Sequence, residues 1–179
     1  MKVRLVLSCL LLGGAVIASF QAVSATRAPR GTVDVRVNMV EGVNPAALAI
    51  WDVGNAAIDD TGGLDPAQMN SAAWDKVQEA AQSLGTYAHR LATAKVIRAS
   101  GPDLVDGKIP VGVASREQIQ AMIDANPAGF RASAAGMERQ AKALAAAAGK
   151  RDLKTAGDLI SHVDQACQGC HQNYWYLKP

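Results

Sequence analysis

The chain has 179 residues, of which 49% are hydrophobic and 19% are charged, and this length suits one ordinary domain with a single apolar core. Its 18 Lys and Arg residues nearly balance its 16 Asp and Glu residues, and there is no basic stripe of the kind that nucleic-acid-binding proteins carry. Composition and charge therefore argue against a nucleic-acid partner. Only 4% of the residues are aromatic, and the abundant alanine is typical of closely packed helices.

The N-terminus has the pattern of a secretory signal peptide. Lys2 and Arg4 form a basic start, residues 5–20 are an apolar run, and 23–25 ends in the small residues that suit cleavage before Thr26. Loss of the two basic residues would bring the formal charge of the remaining chain close to zero.

The chain is therefore predicted to contain a signal peptide, 1–25, and one mature domain, 26–179, that is exported to the periplasm. An uncleaved membrane anchor stays open as an alternative, although the apolar run is somewhat short for a membrane span. Cys9 lies inside this run and would be removed with it.

Four amphipathic helical stretches are predicted in the mature chain, with Gly- and Pro-rich segments between them. The first covers about 35–59, where Asn44-Pro45 predicts either a kink or a short turn before a helix capped by Asn44. The second covers about 71–99. A long connection up to residue 114 then favours a crossover along a bundle over a tight hairpin.

The third stretch begins with a capping box of Ser115 and Gln118 and runs to Gly149, with a kink or restart at Asn126-Pro127.

The fourth stretch begins near Asp152 and carries an apolar face as far as Tyr174. No strand is evident in the pattern. The sequence therefore predicts an all-α protein, an antiparallel four-helix bundle.

The most informative motif lies near the end of the fourth helix, where Cys167, Cys170 and His171 form C-x-x-C-H. On a helix the three residues lie at i, i+3 and i+4 and project from one face. C-x-x-C-H is the signature of covalent haem c attachment, in which two thiols add to the haem vinyl groups and the imidazole binds the iron. One motif predicts one haem c per chain.

Other uses of these residues stay open at this stage. A structural zinc site needs four nitrogen or sulfur ligands, whereas the mature chain has no third cysteine and its other histidines, His89 and His162, are scattered. A redox C-x-x-C pair usually lies near a βαβ pattern. A disulfide between Cys167 and Cys170 would close a very small ring and stabilise little.

A signal peptide, four amphipathic helices and C-x-x-C-H at the end of the last helix resemble the class II cytochromes c, the family of cytochrome c′ and its low-spin, Met-ligated relatives. The sequence segments 43–52 and 171–175 are also similar to those of small exported cytochromes of this type. The resemblance implies a four-helix bundle, thioether links at Cys167 and Cys170, and His171 as the proximal iron ligand.

The resemblance also implies that the first helix faces the distal side of the iron. Met39 lies on the inner stripe of that helix and is the candidate distal ligand. The alternative role for Met39 is packing in the apolar core. A methionine there implies a six-coordinate haem suited to electron transfer, whereas an apolar residue implies an open site. Met69, Met122 and Met137 are weaker candidates, and core packing is the expectation for the last two.

Three further side chains are candidates for the haem pocket. Arg36 precedes Met39 by one helical turn and is expected either to pair with a haem propionate or to be a solvated surface residue. Trp51 is a candidate for packing over the haem. Tyr174 is expected to shield the haem edge or to close the bundle end without chemistry.

These features predict a periplasmic one-electron carrier that has redox proteins as partners and transforms no substrate. A five-coordinate haem protein that binds NO or CO is the alternative, and a haem-free helical module is the third. The acidic residues show no paired arrangement for acid–base catalysis, and no serine has a nucleophile context. Faces of the first two helices also allow a homodimer.

Overall fold

The computed structural model describes residues 31–100 and 111–177, and these residues are mostly helical. The helical elements in chain order are α1 (Val35–Asn38), a π-helical turn (Met39–Val43), α2 (Asn44–Ala57), α3 (Ser71–Thr93), α4 (Arg116–Ala125), α5 (Pro127–Lys150) and α6 (Leu153–Tyr174). The predicted all-α fold is confirmed. The predicted signal peptide and residues 101–110 of the predicted crossover lie outside the described residues.

The helix α5 packs against both α3 and α6. The end of α3 lies beside the start of α5, where Nε of Arg131 donates a hydrogen bond of 3.1 Å to the carbonyl oxygen of Ala94. At the other end of this pair, Arg151 donates to Oγ of Ser71 over 3.2 Å. These two contacts show that α3 and α5 run in opposite directions.

The chain turns back along α5 after Asp152, whose carboxylate accepts a hydrogen bond from the N–H of Thr155 and caps α6. At the far end of α6, the hydroxyl of Tyr174 donates to the carbonyl oxygen of Asn126, at the start of α5, over 3.3 Å. The register of α6 along α5 is therefore fixed near both of its ends.

The helix α1, the π-helical turn and α2 follow one another directly and together form the first helix of the bundle. This first helix continues through Pro45 because one of its turns is widened. Proline has no N–H to donate, and its ring crowds the carbonyl group four residues earlier. Ahead of it, the N–H of Asn44 donates to the carbonyl oxygen of Met39, five residues back, which is the π-helical pattern. Asn44 itself has helical backbone angles (φ −64°, ψ −50°), so it does not cap a new helix.

Tyr87 of α3 packs directly against this π turn. Its ring lies so close to Gly42 that a Cβ atom there would overlap it, and its carbonyl oxygen accepts a hydrogen bond of 3.3 Å from Nδ2 of Asn38. The guanidinium of Arg90 lies 4.5 Å from the centre of the same ring. Glycine is therefore required at residue 42 by the close approach of α3.

Two short strands depart from the sequence prediction. β1 (Thr32–Asp34) and β2 (Val96–Arg98) pair in parallel. β2 lies inside the predicted second helix, which ends at Thr93 rather than near residue 99. Beyond β2, the N–H of Ala99 donates to the side chain of Gln120 over 2.8 Å. Pairing with β1 and the hydrogen bond to Gln120 therefore take the place of the last predicted turn of this helix.

The third predicted stretch separates into two helices at Asn126, whose backbone angles (φ −147°, ψ 67°) leave the helical region. Its side chain then caps α5 by accepting the N–H of Gly129 over 2.9 Å. The capping box of Ser115 and Gln118 at the start of α4 is confirmed. The restart at Asn126-Pro127 is thus the correct one of the two alternatives.

The buried apolar side chains form two clusters. The main core lies among α2, α3, α5 and α6, and its largest fully buried members include Ile50, Leu84, Leu144 and Val163. The end core lies where α3 and α6 finish and includes Ile97, Ile119, Ile123, Phe130 and Tyr174. Met39 packs against both clusters.

Across residues 31–100 and 111–177, every helix falls short of the combined length and hydropathy that crossing a bilayer requires.

Replacing Gly42 by Ala is expected to lower the free energy of unfolding by about 1–3 kcal/mol, because the added methyl group overlaps the Tyr87 ring and the π turn must shift. Gly136→Ala is the matched control, since its nearest neighbour is a side-chain nitrogen of Arg139 at 3.8 Å. That control should be neutral or should stabilise by up to about 1 kcal/mol. Urea denaturation followed by circular dichroism measures both, and an equal effect of the two changes would contradict the close approach.

Candidate functional site

A cavity opens at the boundary between the main core and the end core, beside the last turns of α6. The space between its lining residues is about 590 Å³ when its opening to solvent is included. Its wall comes from four parts of the chain and is mostly apolar. The wall residues are Met39, Val43, Asn44, Ala47 and Trp51 of the first helix, Ala88 and Leu91 of α3, Phe130, Ser133, Ala134 and Met137 of α5, and Cys167, Cys170 and His171 of α6.

The helix α6 brings Cys167, Cys170 and His171 to this one cavity. Their spacing places them on adjacent positions of one helical face, and the packing of α6 turns that face towards the cavity. Cys167 is buried, whereas Cys170 and His171 are half-buried. Both cysteines are free thiols. Two thiols and an imidazole therefore lie together at the edge of an apolar wall.

Burial sets the protonation of these three side chains. Burial first, and then the negative charge of Asp164, raise the pKa of Cys167 to about 12. Burial also raises the pKa of Cys170 to about 11 and lowers the pKa of His171. Near neutral pH the cysteines are therefore thiols, and the histidine is the neutral imidazole that binds metal ions.

Two methionines reach the same cavity from other elements. Met39, the first residue of the π turn, lines it from the first helix, and Met137 lines it from α5. The sequence predicts ordinary core packing for Met137; this residue belongs to the main core and also forms part of the cavity wall. Its position three residues after Ala134 on the inner stripe of α5 was the available signal. The cavity therefore has two thioether groups.

One of the three candidate pocket residues lines the cavity, and the other two do not. Trp51 is half-buried and lines the cavity. Arg36 and Tyr174 lie outside the described wall of the cavity. Arg36 is only 5% exposed, so the alternative of a solvated surface arginine is wrong.

Tyr174 closes the end core behind the cavity wall. Its ring meets that of Phe130 edge to face, with the ring centroids 5.1 Å apart, and Phe130 itself lines the cavity. The Tyr174 hydroxyl is bound to a backbone carbonyl of α5. The tyrosine therefore supports one wall residue from the side away from the cavity.

Two more aromatic rings approach His171 from the C-terminal segment. The ring centroids of Trp175 and Tyr176 lie 5.9 Å and 6.0 Å from that of His171, and the N–H groups of both residues donate to its carbonyl oxygen. The N–H of Ala114 in turn donates to the carbonyl oxygen of Trp175 over 2.9 Å. The surroundings of the imidazole are thus built from two distant parts of the chain.

The ligands that a structural zinc site needs are not assembled in the described part of the chain, where no group of three or more His, Cys, Asp or Glu side chains is placed to hold a metal ion. His89 lies on the surface with Nδ1 3.1 Å from a carboxylate oxygen of Glu138. His162 is also exposed. The donor set of two thiols, one imidazole and two thioethers on an apolar cavity fits a haem attached through C-x-x-C-H.

Comparison with known proteins gives a family. The family model described as Cytochrome C′ matches residues 74–175, which is more than half of the chain and includes the whole C-x-x-C-H motif. Neither the curated proteins nor the solved structures give a match.

Iodoacetamide is expected to alkylate Cys167 and Cys170 of the haem-free folded chain slowly, because only a thiolate attacks it. The alkylation rates should rise about tenfold per pH unit between about pH 8 and pH 10 without a plateau, since the pKa values of both thiols lie above this pH range. The alkylation rate of an ordinary thiol, in contrast, levels off above about pH 8.5. Peptide mass spectrometry distinguishes the two sites, and Cys170, with the lower pKa, should react faster. The chain unfolded in urea is the control and should reach its plateau near pH 9.

Proposed function

We propose that this chain, which belongs to the cytochrome c′ family and is therefore a haem-binding c-type cytochrome, acts as a one-electron carrier in the periplasm. The observation that carries this proposal is the arrangement of the cavity, where a thioether of the first helix and the imidazole of α6 line the same apolar space. When bound, haem iron accepts and donates single electrons. The chain's own residues hold the group, set its axial ligands and exclude water.

The motif assigns one haem c to each chain. Cys167 and Cys170 would hold it through two thioether bonds, each formed by adding a thiol S–H across a vinyl group. His171 would supply the proximal ligand, because its lowered pKa keeps the imidazole neutral. The rings of Trp175 and Tyr176 beside it limit how the imidazole can turn.

Met39 is proposed as the distal ligand. It begins the π turn, and widened turns of this kind often occur at functional sites. Tyr87, packed against Gly42 and bonded to Asn38, fixes the position of that turn. A thioether opposite a histidine raises the reduction potential of a haem, which suits an electron carrier.

Met137 shares the cavity and is the competing thioether. It lies in the middle of α5 and is buried at 8% exposure within the main core, so its side chain is held by its neighbours. We therefore assign it a packing role against the haem face rather than ligation.

Gas binding is the second candidate function. The cavity wall opposite the first helix is apolar, with Leu91, Phe130 and Ala134 among its members, and such a wall suits an uncharged diatomic molecule. If Met39 does not bind the iron, the distal position is open to NO or CO. The absorption spectrum and its response to CO separate this function from electron transfer.

The basic and apolar residues of 1–25 favour export to the periplasm. The cavity wall offers contacts and ligands rather than an acid–base pair, so we propose that no substrate is transformed and that the partners are other redox proteins.

A homodimer through the first helix is also proposed. Val37, Val40 and Leu48 of this helical segment are exposed at 40%, 58% and 56%, and exposed apolar surface of this kind would favour association. A second copy would cover them.

Replacing Met39 by Ala is expected to remove the weak sulfur-to-iron absorption band and to lower the midpoint potential of the haem-loaded protein, because the iron loses a thioether ligand. Met137→Leu is the control and should keep both the band and the potential. Visible spectroscopy and a redox titration measure the two effects. The reverse pattern would assign the distal position to Met137, and a wild-type spectrum that is high-spin and changes on adding CO would favour the gas binder.

Replacing Leu48 by Asp is expected to convert a dimer into a monomer, which halves the mass found by analytical ultracentrifugation, because a charge is placed within the apolar contact. Asp75→Asn, a change at an exposed residue of α3, serves as the control and should leave the mass unchanged. A wild-type protein that sediments as a monomer at high concentration would refute the dimer.

A further inference from the structure

A groove runs along the outside of the bundle between α2 and α6, next to the cavity. The α2–α6 groove is lined by both helices and by the loop at Gly62–Leu64 that joins α2 to α3. Its lining side chains include Trp51, Asn55, Ser161, Asp164 and Gln165.

Trp51 belongs to both the cavity and the groove. Its side chain is half-buried, so part of it is open to solvent. Trp51 therefore lies where the groove and the cavity adjoin. A molecule seated against Trp51 in the groove would lie beside a residue of the cavity wall.

The groove carries one charge. Asp164 is the only ionisable side chain among its described lining residues. Lys154 of α6 lines an adjoining depression that shares Gly62–Leu64 with the groove, and its ammonium group is paired with Asp158 over 2.8 Å. Asp164 lies one turn before Cys167 on α6, and its charge acts on that thiol. The negative potential of the groove thus extends to the attachment site.

The chemistry of the groove suits a cationic side chain. Tryptophan is the best aromatic partner for a Lys or Arg cation, and Asp164 supplies an opposite charge in the same groove. The side-chain amides of Asn55 and Gln165 offer oxygen acceptors beside them. An apolar ring, a carboxylate and amide oxygens together match the head group of a lysine or arginine.

We propose that the α2–α6 groove is where a basic redox protein docks, with one of its Lys or Arg side chains seated between Trp51 and Asp164. This inference rests on the proposed electron-carrier function and assigns its point of contact. Charges at such a surface act mainly by steering the encounter, so they raise association rates and make those rates fall with added salt.

The test uses the haem-loaded, reduced protein and two oxidants of opposite charge, tris(1,10-phenanthroline)cobalt(III) and ferricyanide. Asp164→Asn is expected to slow oxidation by the cobalt cation about threefold at low ionic strength, and to speed oxidation by ferricyanide by a similar factor. Both effects should vanish at high salt, because the charges are screened. Asp75→Asn makes the same charge change on α3 and should alter neither rate. Stopped-flow absorbance measures the oxidation rates of the wild type and of both variants with each oxidant.

A second measurement locates the contact without electron transfer. The paramagnetic cation hexaamminechromium(III) is added to the reduced protein, and the broadening of backbone amide signals is followed by NMR. The strongest broadening is expected at Asn55, Ser161 and Asp164, with loss of this pattern in Asp164→Asn. Broadening centred on another surface, or equal effects of the two Asn variants on the oxidation rates, would overturn the inference. A protein that neither oxidant oxidises would instead refute the electron-carrier function itself.

Discussion

The packing of α6 against α5 decides where the C-x-x-C-H face points, and the site depends on it. The start of α6 follows a tight turn at Arg151 and the Asp152 cap. Its last turn is held by the hydrogen bond from Tyr174 to the first turn of α5. A shift of α6 by one residue would rotate its side chains by about 100° and carry both thiols away from the cavity. Fixing the register of this helix therefore fixes the attachment geometry.

The opposite wall of the cavity depends on the first helix, and there the constraint is Pro45. A proline in a regular helix would break the hydrogen-bond ladder, and the π turn accommodates it while the chain stays helical. Tyr87 then holds the widened turn against α3 through Gly42 and Asn38. The first helix and α6 are thus each fixed by contacts with α3 or α5, and all four segments of the cavity wall are helical.

Much of this arrangement could be predicted from the sequence, because helical periodicity and the C-x-x-C-H spacing are local signals. The shared face of Cys167, Cys170 and His171 and the capping box at Ser115 depend only on neighbouring residues. The end of α3 could not be predicted, because β2 forms by pairing with a strand more than 60 residues away. The burial of Arg36 was missed for the same reason, since it follows from how the first helix is packed and not from its own neighbours in sequence.

The role of Met137 shows a different limit. A methionine on an inner stripe looks the same whether it fills a core or lines a cavity, because both positions select an apolar side chain. Only the three-dimensional boundary between the main core and the end core distinguishes them. The motif located the wall that α6 contributes, and the remaining walls required the packing of three further segments, the first helix, α3 and α5.

The π turn has one more consequence, which concerns insertions and deletions. A π turn is an α-helical turn that holds one extra residue. Because the hydrogen bond from Asn44 to Met39 already spans the extra residue, deleting one residue between them would leave the two residues one α-helical turn apart. Their side chains would stay on nearly the same faces, at the cost of crowding Pro45 against a carbonyl group. Inserting or deleting a residue within the regular turns of α2 would instead rotate everything before it by about 100° around the helix axis and carry Met39 away from the cavity. The direction of Met39 therefore tolerates a change of chain length within the π turn and not within α2.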